Sequence, residues 1–330
     1  MAIRINLQRL RPSYLLRPRG KNLRFPYLLK SLSRNLIPSF YLKMRYKTIL
    51  SSLERRQDYN YIIERVNYYN KLTATHIPLS RTKRVSDIPN KGGNYNRDFF
   101  EFSRYFPSSY FVDTAFGDNT AICQTPSIAK SRPIFGSNEN DVLLKLNKIR
   151  HFFYLNDKKT FASKENKAIF WGAMHQPHRQ RFMEKFFNSP MVDCGDTSNN
   201  QSTPAEWKKP LITPYDHLKY KFIVCIEGND VASNLKWVMS SNSLAMMPKP
   251  KFETWFMEGK LIPNVHYVEI RDDYADVEEK IRYYSEHVDE AEAILRNAHE
   301  FVDQFRDEER EDIISLLVLK KYFEKTDQSV

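Results

Sequence analysis

One segment in the second half of the chain has the residue types and order needed to hold a diphosphate. The apolar run 222–226 predicts a buried strand that ends in a turn at Gly228. A helix is expected over residues 231–240, with Ser233 in its first turn and Lys236 just beyond. Backbone N–H groups at a helix start, a hydroxyl and an ammonium all bind phosphate oxygens. Many strand–turn–helix units of this kind only pack in a core. On these residues alone, a phosphate-binding role and a purely structural role both stay open.

The elements around this segment predict how it is positioned. Strands are expected over residues 109–112, 168–171, 243–247 and 266–270, and a strand or helix over 142–153. Helices are expected over 46–72, after Gly172, over 278–305 and over 312–323. Strands that alternate with helices are typical of α/β layers with a largely parallel sheet. In such sheets ligands bind at the carboxyl ends of the strands.

Composition narrows the class of protein. A chain of 330 residues with 41% hydrophobic residues can form two domains of ordinary size. No run approaches the roughly 18 to 20 apolar residues that span a bilayer. The three cysteines lack paired spacing, and no cysteine or histidine pattern indicates a metal. A soluble cytoplasmic protein without a metal or other cofactor is therefore expected, and the nine glycines disfavour a glycine-rich dinucleotide loop.

The first fifty residues are strongly basic. They carry twelve Lys or Arg and no Asp or Glu, and the first acid is Glu54. Apolar side chains such as Phe25, Leu28 and Leu29 are interleaved with these charges. The pattern favours contact with an anionic membrane surface, although a phosphorylated glycolipid, nucleic acid or plain solvation would also suit it.

Several motifs resemble glycosyltransferase family 90. The family shares a Lys-Tyr-Lys strand, a Gly turn, an Ala-Ser helix start and a small-residue strand, here residues 219–221, 228, 232–233 and 241–244. A Leu-x-Pro-x-x-His-Tyr segment follows at residues 261–267. Upstream, Phe170-Trp171-Gly172 with Arg179 resembles an aromatic-Arg-Gly element and its following Arg, but Trp171 replaces the first Arg. The bacterial branch is most similar, through residues 130–134 and 143–152, and the resemblance covers about residues 100–305.

The resemblance implies a GT-B-like α/β architecture, with two Rossmann-like domains facing a central cleft and C-terminal helices. The expected division is a basic segment at 1–50, an acceptor-side domain at 51–160 and a UDP-sugar-binding domain at 161–330. The implied reaction is inverting, metal-independent transfer of a hexose or pentose from a UDP-sugar. The implied acceptor is a hydroxyl of lipopolysaccharide, lipooligosaccharide or a capsule precursor.

This chemistry requires a carboxylate base and fixed positive charge. Asp118, after the 109–112 strand, is the expected base, with Asp113 as the alternative, and either one could instead serve only as a cap. Cations expected to line the cleft or meet the acceptor are Lys130, Arg132, Lys145 and Lys148. Residues expected to bind the donor are Arg179, Gly228, Ser233, Asn234, Lys236 and Glu253.

Two other functions remain open at this stage. The sequence pI near 9.3 and the many Tyr, Phe and Lys residues suit a nucleic-acid-binding protein, but no module of that kind is recognisable, so no nucleic-acid partner is expected. Because Trp171 stands where the family has Arg, a catalytically inactive relative that only binds sugar also remains open. If the missing Arg contacts the donor, its role falls to another cation such as Arg179 or Arg132, or is absent here.

Overall fold

The computed structural model describes residues 24–74, 77–80 and 83–328. These residues form two compact units. The first contains the described residues of 24–149 together with 303–328, and the second contains residues 150–302. Of the predicted basic N-terminal segment, residues 1–23 lie outside the described part of the chain.

The first unit combines helices with a small parallel sheet of three strands in the order β1-β2-β4. Its strands are β1 (Asp113–Ala115), β2 (Ser127–Ala129), β3 (Ser131–Pro133) and β4 (Asp141–Leu143). Its helices are α1 (Arg24–Ser33), α2 (Ser39–Leu53), α3 (Tyr59–Tyr69), α4 (Asn94–Ser103) and α11 (Glu308–Lys325), and the one-turn helix α5 (Lys148–His151) contains the boundary between the units.

The last helix, α11, belongs to the first unit. Glu311 on α11 accepts hydrogen bonds from Arg65 of α3 at 2.5 Å and from Lys145 after β4 at 3.0 Å. All three side chains are buried, so removing Glu311 would leave two cations in the core without their shared carboxylate. The structure differs here from the sequence-based division, which kept all residues after 160 in one domain.

The second unit contains a five-stranded parallel sheet in the order β10-β8-β7-β5-β6. Its strands are β5 (Glu165–Gly172), β6 (Val192–Asp196), β7 (Tyr220–Val224), β8 (Leu244–Met247), β9 (Phe252–Thr254) and β10 (Val268–Glu269). Its helices are α6 (Pro177–Phe186), α7 (Pro214–His217), α8 (Leu235–Val238), α9 (Val277–Glu286) and α10 (Val288–Asp303).

The apolar runs explain why these strands form. Every residue of β7 is buried, as expected for an inner strand of a parallel sheet that is covered on both faces. Phe170 of β5 contacts Phe182 of α6, and Phe182 also packs edge-on against Tyr274. The predicted α/β class with a parallel sheet is confirmed. None of the described helices is both long enough and apolar enough to cross a membrane.

Three sequence-based element predictions were wrong in detail. The helix expected over 231–240 is a single turn, α8, because the Asn234 side chain donates to the Val224 carbonyl oxygen at 3.1 Å and holds the preceding residues in an irregular loop. The strand expected over 109–112 lies instead at β1. The helix expected over 278–305 is divided into α9 and α10 at His287, whose backbone leaves the helical region.

Candidate functional site

The second unit has a cavity of about 470 Å³ at the carboxyl edge of its sheet. The segments that follow β7 and β8 line it, including Gly228, Asn229, Ala232 and Lys251. Parallel strands deliver their following loops to one edge, which is where α/β proteins bind ligands. The cavity therefore lies where the sequence predicted the donor to bind, and Gly228 is part of its wall.

Arg179, in the first turns of α6, organises the loop that follows β7. Its guanidinium donates to the carbonyl oxygens of Ile226 at 2.7 Å, Glu227 at 2.8 Å and Ala173 at 3.1 Å. A Cβ atom at Gly228 would lie 3.5 Å from the same guanidinium. Burial lowers the pKa of Arg179 to about 10, and the neighbouring positive charge of Arg150 adds to the effect. Arg179 thus places a fixed positive charge directly beside the Gly228 turn.

Glu227 connects the two loops that form the cavity wall. Its Oε1 atom accepts hydrogen bonds from the backbone N–H groups of Lys251 at 2.9 Å and Phe252 at 3.2 Å. Burial raises the pKa of the Glu227 carboxyl to about 7, although the two N–H donors oppose this shift. The β7 loop and the β8 loop are therefore held together by a group that titrates near neutrality.

The cations that line the cavity differ from most of those predicted. Arg181, two residues beyond Arg179, lines the cavity, and Lys249 and Lys251 line it from the segment after β8. Sequence reasoning did not select these three residues. The available signal was their position directly after a predicted strand, or in the first turns of a predicted helix, at the carboxyl edge of the sheet.

Lys236 lies in the interior of the second unit. It is fully buried and donates to Glu258 at 2.7 Å, and its ammonium also lies 5.2 Å from the ring centroid of Phe256. The Glu258 carboxylate accepts further bonds from the backbone N–H and hydroxyl of Thr254. Contrary to the sequence-based prediction, this arrangement commits the Lys236 ammonium to an internal ion pair and does not present it to a ligand.

The remaining residues that were predicted to bind the donor differ in burial and in their contacts. Ser233 is half-buried next to Ala232 of the cavity wall. Asn234 is also half-buried, and its amide is bonded to a strand carbonyl oxygen. Glu253 is buried within β9, a position that suits a structural role better than contact with a donor.

Trp171 has a structural role at the end of β5. Its indole N–H donates to Asp193 at 2.8 Å, and its ring covers Gly195 on the neighbouring strand, where an added Cβ would lie 3.2 Å from it. The Lys209 ammonium lies 6.0 Å from its ring centroid. The side chain at this position thus packs on the sheet, and Arg179 is the nearby cation beside the cavity.

The first unit brings together two residues that were predicted separately. The Lys130 ammonium donates to Asp118 Oδ1 at 2.6 Å. Lys130 is almost fully buried after β2, whereas the Asp118 side chain keeps 30% of its surface exposed. Gly117 adopts φ +115°, a conformation that favours glycine, and it turns the chain after β1 so that Asp118 faces Lys130. A partly accessible carboxylate is thus held by a buried cation.

Asp113 occupies a different environment. Its Oδ2 atom accepts from the Ser80 backbone N–H and the Thr125 hydroxyl, both at 2.8 Å, and Oδ1 accepts from the Ser80 hydroxyl. The side chain is buried. Because both oxygens are used to join loops, Asp113 suits a structural role better than proton transfer.

The other predicted cleft cations are engaged in structure. Arg132 is fully buried and donates to the carbonyl oxygens of Tyr68, Tyr69 and Asp141. Lys145 belongs to the buried Glu311 pair described above, and Lys148 donates to Glu101 at 2.7 Å. Of the four predicted residues, Lys130 alone bonds to the candidate base in the described contacts. Arg132 therefore fits poorly as a replacement for the Arg that Trp171 displaces.

The described residues contain no group of three or more His, Cys, Asp or Glu side chains that could hold a metal ion. Two features of the described residues are available for chemistry. They are a half-exposed carboxylate in the first unit, and a cavity with a buried guanidinium beside it in the second.

A family model and individual relatives both match this chain. The family model described as Glycosyl transferase family 90 matches residues 143–323. The chain is 43% identical to O-glucosyltransferase LpsA of Dichelobacter nodosus, over 79% of this chain and 82% of that protein. It is 25% identical to human Protein O-glucosyltransferase 3 over 52% of this chain, a match that spans only 34% of the human protein.

The family match includes β5, β7, β8 and the whole cavity wall, whereas Asp118 and Lys130 lie before its first residue. The bacterial relative extends the similarity over more than three quarters of both chains. The chain therefore belongs to glycosyltransferase family 90, and glycosyl transfer is its activity class.

Proposed function

We propose that this protein transfers glucose from UDP-glucose to a hydroxyl of a lipopolysaccharide-type acceptor, with inversion at the anomeric carbon. The observation that carries the proposal is the Arg179 guanidinium beside the Gly228 wall of the cavity. This cation is largely buried, and none of its described hydrogen bonds goes to a carboxylate. A largely buried positive charge whose described hydrogen bonds go to carbonyl oxygens favours an anionic ligand close by. A diphosphate is the anion that a sugar nucleotide supplies.

The donor site in this proposal is the cavity of the second unit. Backbone groups of the Gly228 loop lie in its wall, and Arg181, Lys249 and Lys251 add positive charge around it. Arg179 acts through the loop that it holds and through its field. Such fixed charge stabilises a departing diphosphate without a metal ion.

The proposed base is Asp118. The carboxylate accepts the proton of the acceptor hydroxyl while that oxygen forms a bond to the anomeric carbon. The bond from the anomeric carbon to the diphosphate oxygen breaks, its electron pair leaves with UDP, and attack from the opposite face inverts the configuration. Lys130 fixes the orientation of the carboxylate. The proposed base belongs to the first unit and the proposed donor groups to the second.

The choice of glucose and of the acceptor is supported by similarity. The bacterial relative is named an O-glucosyltransferase and shares 43% of aligned residues with this chain. The motifs at residues 130–134 and 143–152 resemble the lipopolysaccharide-modifying branch of the family.

A thermal-shift panel tests the nucleotide, and a transfer assay tests the sugar. UDP and UDP-glucose are expected to raise the melting temperature, while GDP, ADP and CMP leave it unchanged. Mass spectrometry of a deacylated lipopolysaccharide acceptor should then show one added hexose with UDP-glucose but not with UDP-xylose. Stabilisation by GDP or ADP alone would refute the donor assignment, and the absence of transfer despite UDP binding would support an inactive relative.

A further inference from the structure

Helix α1 is amphipathic, and several of its large apolar side chains, like several of those on α2, are exposed. Eight of the 13 large apolar side chains that are exposed in the described part of the chain fall within residues 25–44. On α1, Phe25, Leu29 and Leu32 follow helical spacing, and Leu36 continues it with 83% of its surface exposed. The others are Ile37, Phe40, Tyr41 and Met44.

The polar face of α1 is the one that packs against the protein. Ser31 is fully buried and donates to Asn90 Oδ1 at 2.6 Å, while the Asn90 amide returns a bond to the Ser31 carbonyl oxygen. Arg34 pairs with Glu101 of α4 at 2.5 Å. A helix of a soluble protein normally buries its apolar face. Here polar bonds anchor the helix and hold its apolar face outward.

The exposed charged residues that α1 and α2 themselves carry all have one sign. Exposed Arg24 and Lys30 lie on α1, and exposed Lys43 and Lys47 lie on α2. Residues 1–53 contain no Asp or Glu. We call the eight exposed apolar side chains and these four cations the N-terminal surface.

We propose that the N-terminal surface docks onto an anionic phospholipid bilayer, with its apolar side chains inserted among the acyl chains near the headgroups. Interfacial helices combine apolar side chains on one face with Lys and Arg at its borders, as here. Charge complementarity selects the anionic leaflet, since each Lys or Arg near such a surface adds attraction. This inference concerns a surface separate from the donor cavity and does not require the identity of the sugar.

Two other occupants fit this surface less well. Aliphatic side chains such as Leu29, Leu36 and Met44 cannot stack on bases, so nucleic acid leaves them without partners. A second copy of the chain would bring like charges against like charges across a two-fold axis. A bilayer satisfies the apolar and the basic groups together.

Sedimentation with vesicles tests the proposal on the full chain without donor or acceptor. The protein should bind vesicles of phosphatidylglycerol and phosphatidylcholine in equal parts, and bind pure phosphatidylcholine at least about tenfold more weakly. The variant Phe25→Ser/Leu29→Ser/Phe40→Ser should lower the partition coefficient at least about tenfold. The matched control Leu211→Ser/Ile262→Ser/Val265→Ser removes exposed apolar side chains of the second unit and should bind like the wild type.

Two charge-reversal variants test the electrostatic contribution to vesicle binding. Lys43→Glu/Lys47→Glu should weaken binding about tenfold or more at low salt, whereas Lys158→Glu/Lys167→Glu, with the same net charge, should change it little. Circular dichroism of every variant verifies that the fold is retained. Because the substituted side chains are exposed, folding should be unaffected.

An insertion probe gives an independent readout. The emission of Leu36→Trp should shift to the blue on anionic vesicles and be quenched by brominated acyl chains, while Leu211→Trp should show neither change. The proposal is overturned if the wild type does not bind anionic vesicles, or if the apolar triple variant binds as well as its control. Unchanged Leu36→Trp emission on bound protein, or a lipid-free dimer that Phe40→Ser dissociates, would overturn it as well.

Discussion

Lys130 and Asp118 form a 2.6 Å ion pair in which the cation is buried and the carboxylate remains partly exposed. The pair joins the segment after β2 to the loop after β1. A buried ammonium can hold a single carboxylate rotamer, and a base that must take a proton from a hydroxyl benefits from such fixed placement.

Asp118→Asn should therefore lower the transfer rate by at least about a hundredfold, because the amide cannot accept the acceptor proton. The dissociation constant for UDP should stay nearly unchanged. Initial rates with UDP-glucose and calorimetric titration of UDP measure the two quantities. Asp113→Asn is the matched control: it should cost about 1 to 3 kcal/mol of stability through its loop bonds, yet leave turnover of the folded protein largely intact. Near-normal turnover in Asp118→Asn would exclude this residue as the base.

Lys236→Met should destabilise the protein by about 3 to 5 kcal/mol, because it leaves the buried Glu258 carboxylate without its cation. The double variant Lys236→Met/Glu258→Gln should recover part of that loss. Urea unfolding of the three proteins measures the effect. A stable Lys236→Met protein with greatly weakened UDP binding would instead support a role for Lys236 in donor binding.

Arg179→Lys should loosen the loop after β7, because one ammonium cannot bridge three carbonyl oxygens in the same fixed geometry. We expect a loss of about 1 to 3 kcal/mol in stability and weaker UDP binding. Hydrogen exchange of the amides at residues 226–230 should become faster even without ligand. Arg181→Lys is a suitable comparison, since Arg181 is exposed and lines the cavity. If exchange in the ligand-free Arg179→Lys protein is unchanged, Arg179 does not organise the loop.

Glu227→Gln should alter how stability depends on pH. The Glu227 pKa rises from 4.5 to about 7 in the folded protein, mainly through burial. Between these values the native state binds more protons than the unfolded state, so this group lowers stability as pH rises, and the loss is complete above the folded pKa. The free energy of unfolding of Glu227→Gln, relative to the wild type, should therefore increase by about 2 to 3 kcal/mol between pH 4.5 and 8.

Urea titrations at several pH values check this expectation, with the exposed Glu279→Gln as the control. A constant difference between Glu227→Gln and the wild type across that range would contradict it.

The elements that the sequence predicted best are the buried strands, which are short apolar runs. β5, β7 and β8 were expected close to their observed positions, because a buried parallel strand leaves an uninterrupted apolar pattern. Asp118 and Lys130 were chosen separately, but their contact could not be predicted, since it depends on how the loop after β1 folds back at Gly117.

Other features required the folded structure. The partner of Lys236 is 22 residues away, and a lysine beside a turn has the same local sequence whether it is buried or exposed. Lys249 and Lys251 follow a predicted strand directly, but they were not selected because the residue types around them are those of an ordinary loop. Their role became visible only when β8 was placed beside β7 at the edge of the cavity.

The Glu311 pairs with Arg65 and Lys145 affect how the protein is made. The ribosome synthesises α3 long before α11, so Arg65 and Lys145 cannot pair with Glu311 until α11 has been made. The described residues of the second unit, 150–302, are one continuous segment that can fold first, whereas the first unit also requires α11. A nascent chain stalled before residue 308 should therefore protect the second unit from proteolysis but leave the first open to cleavage.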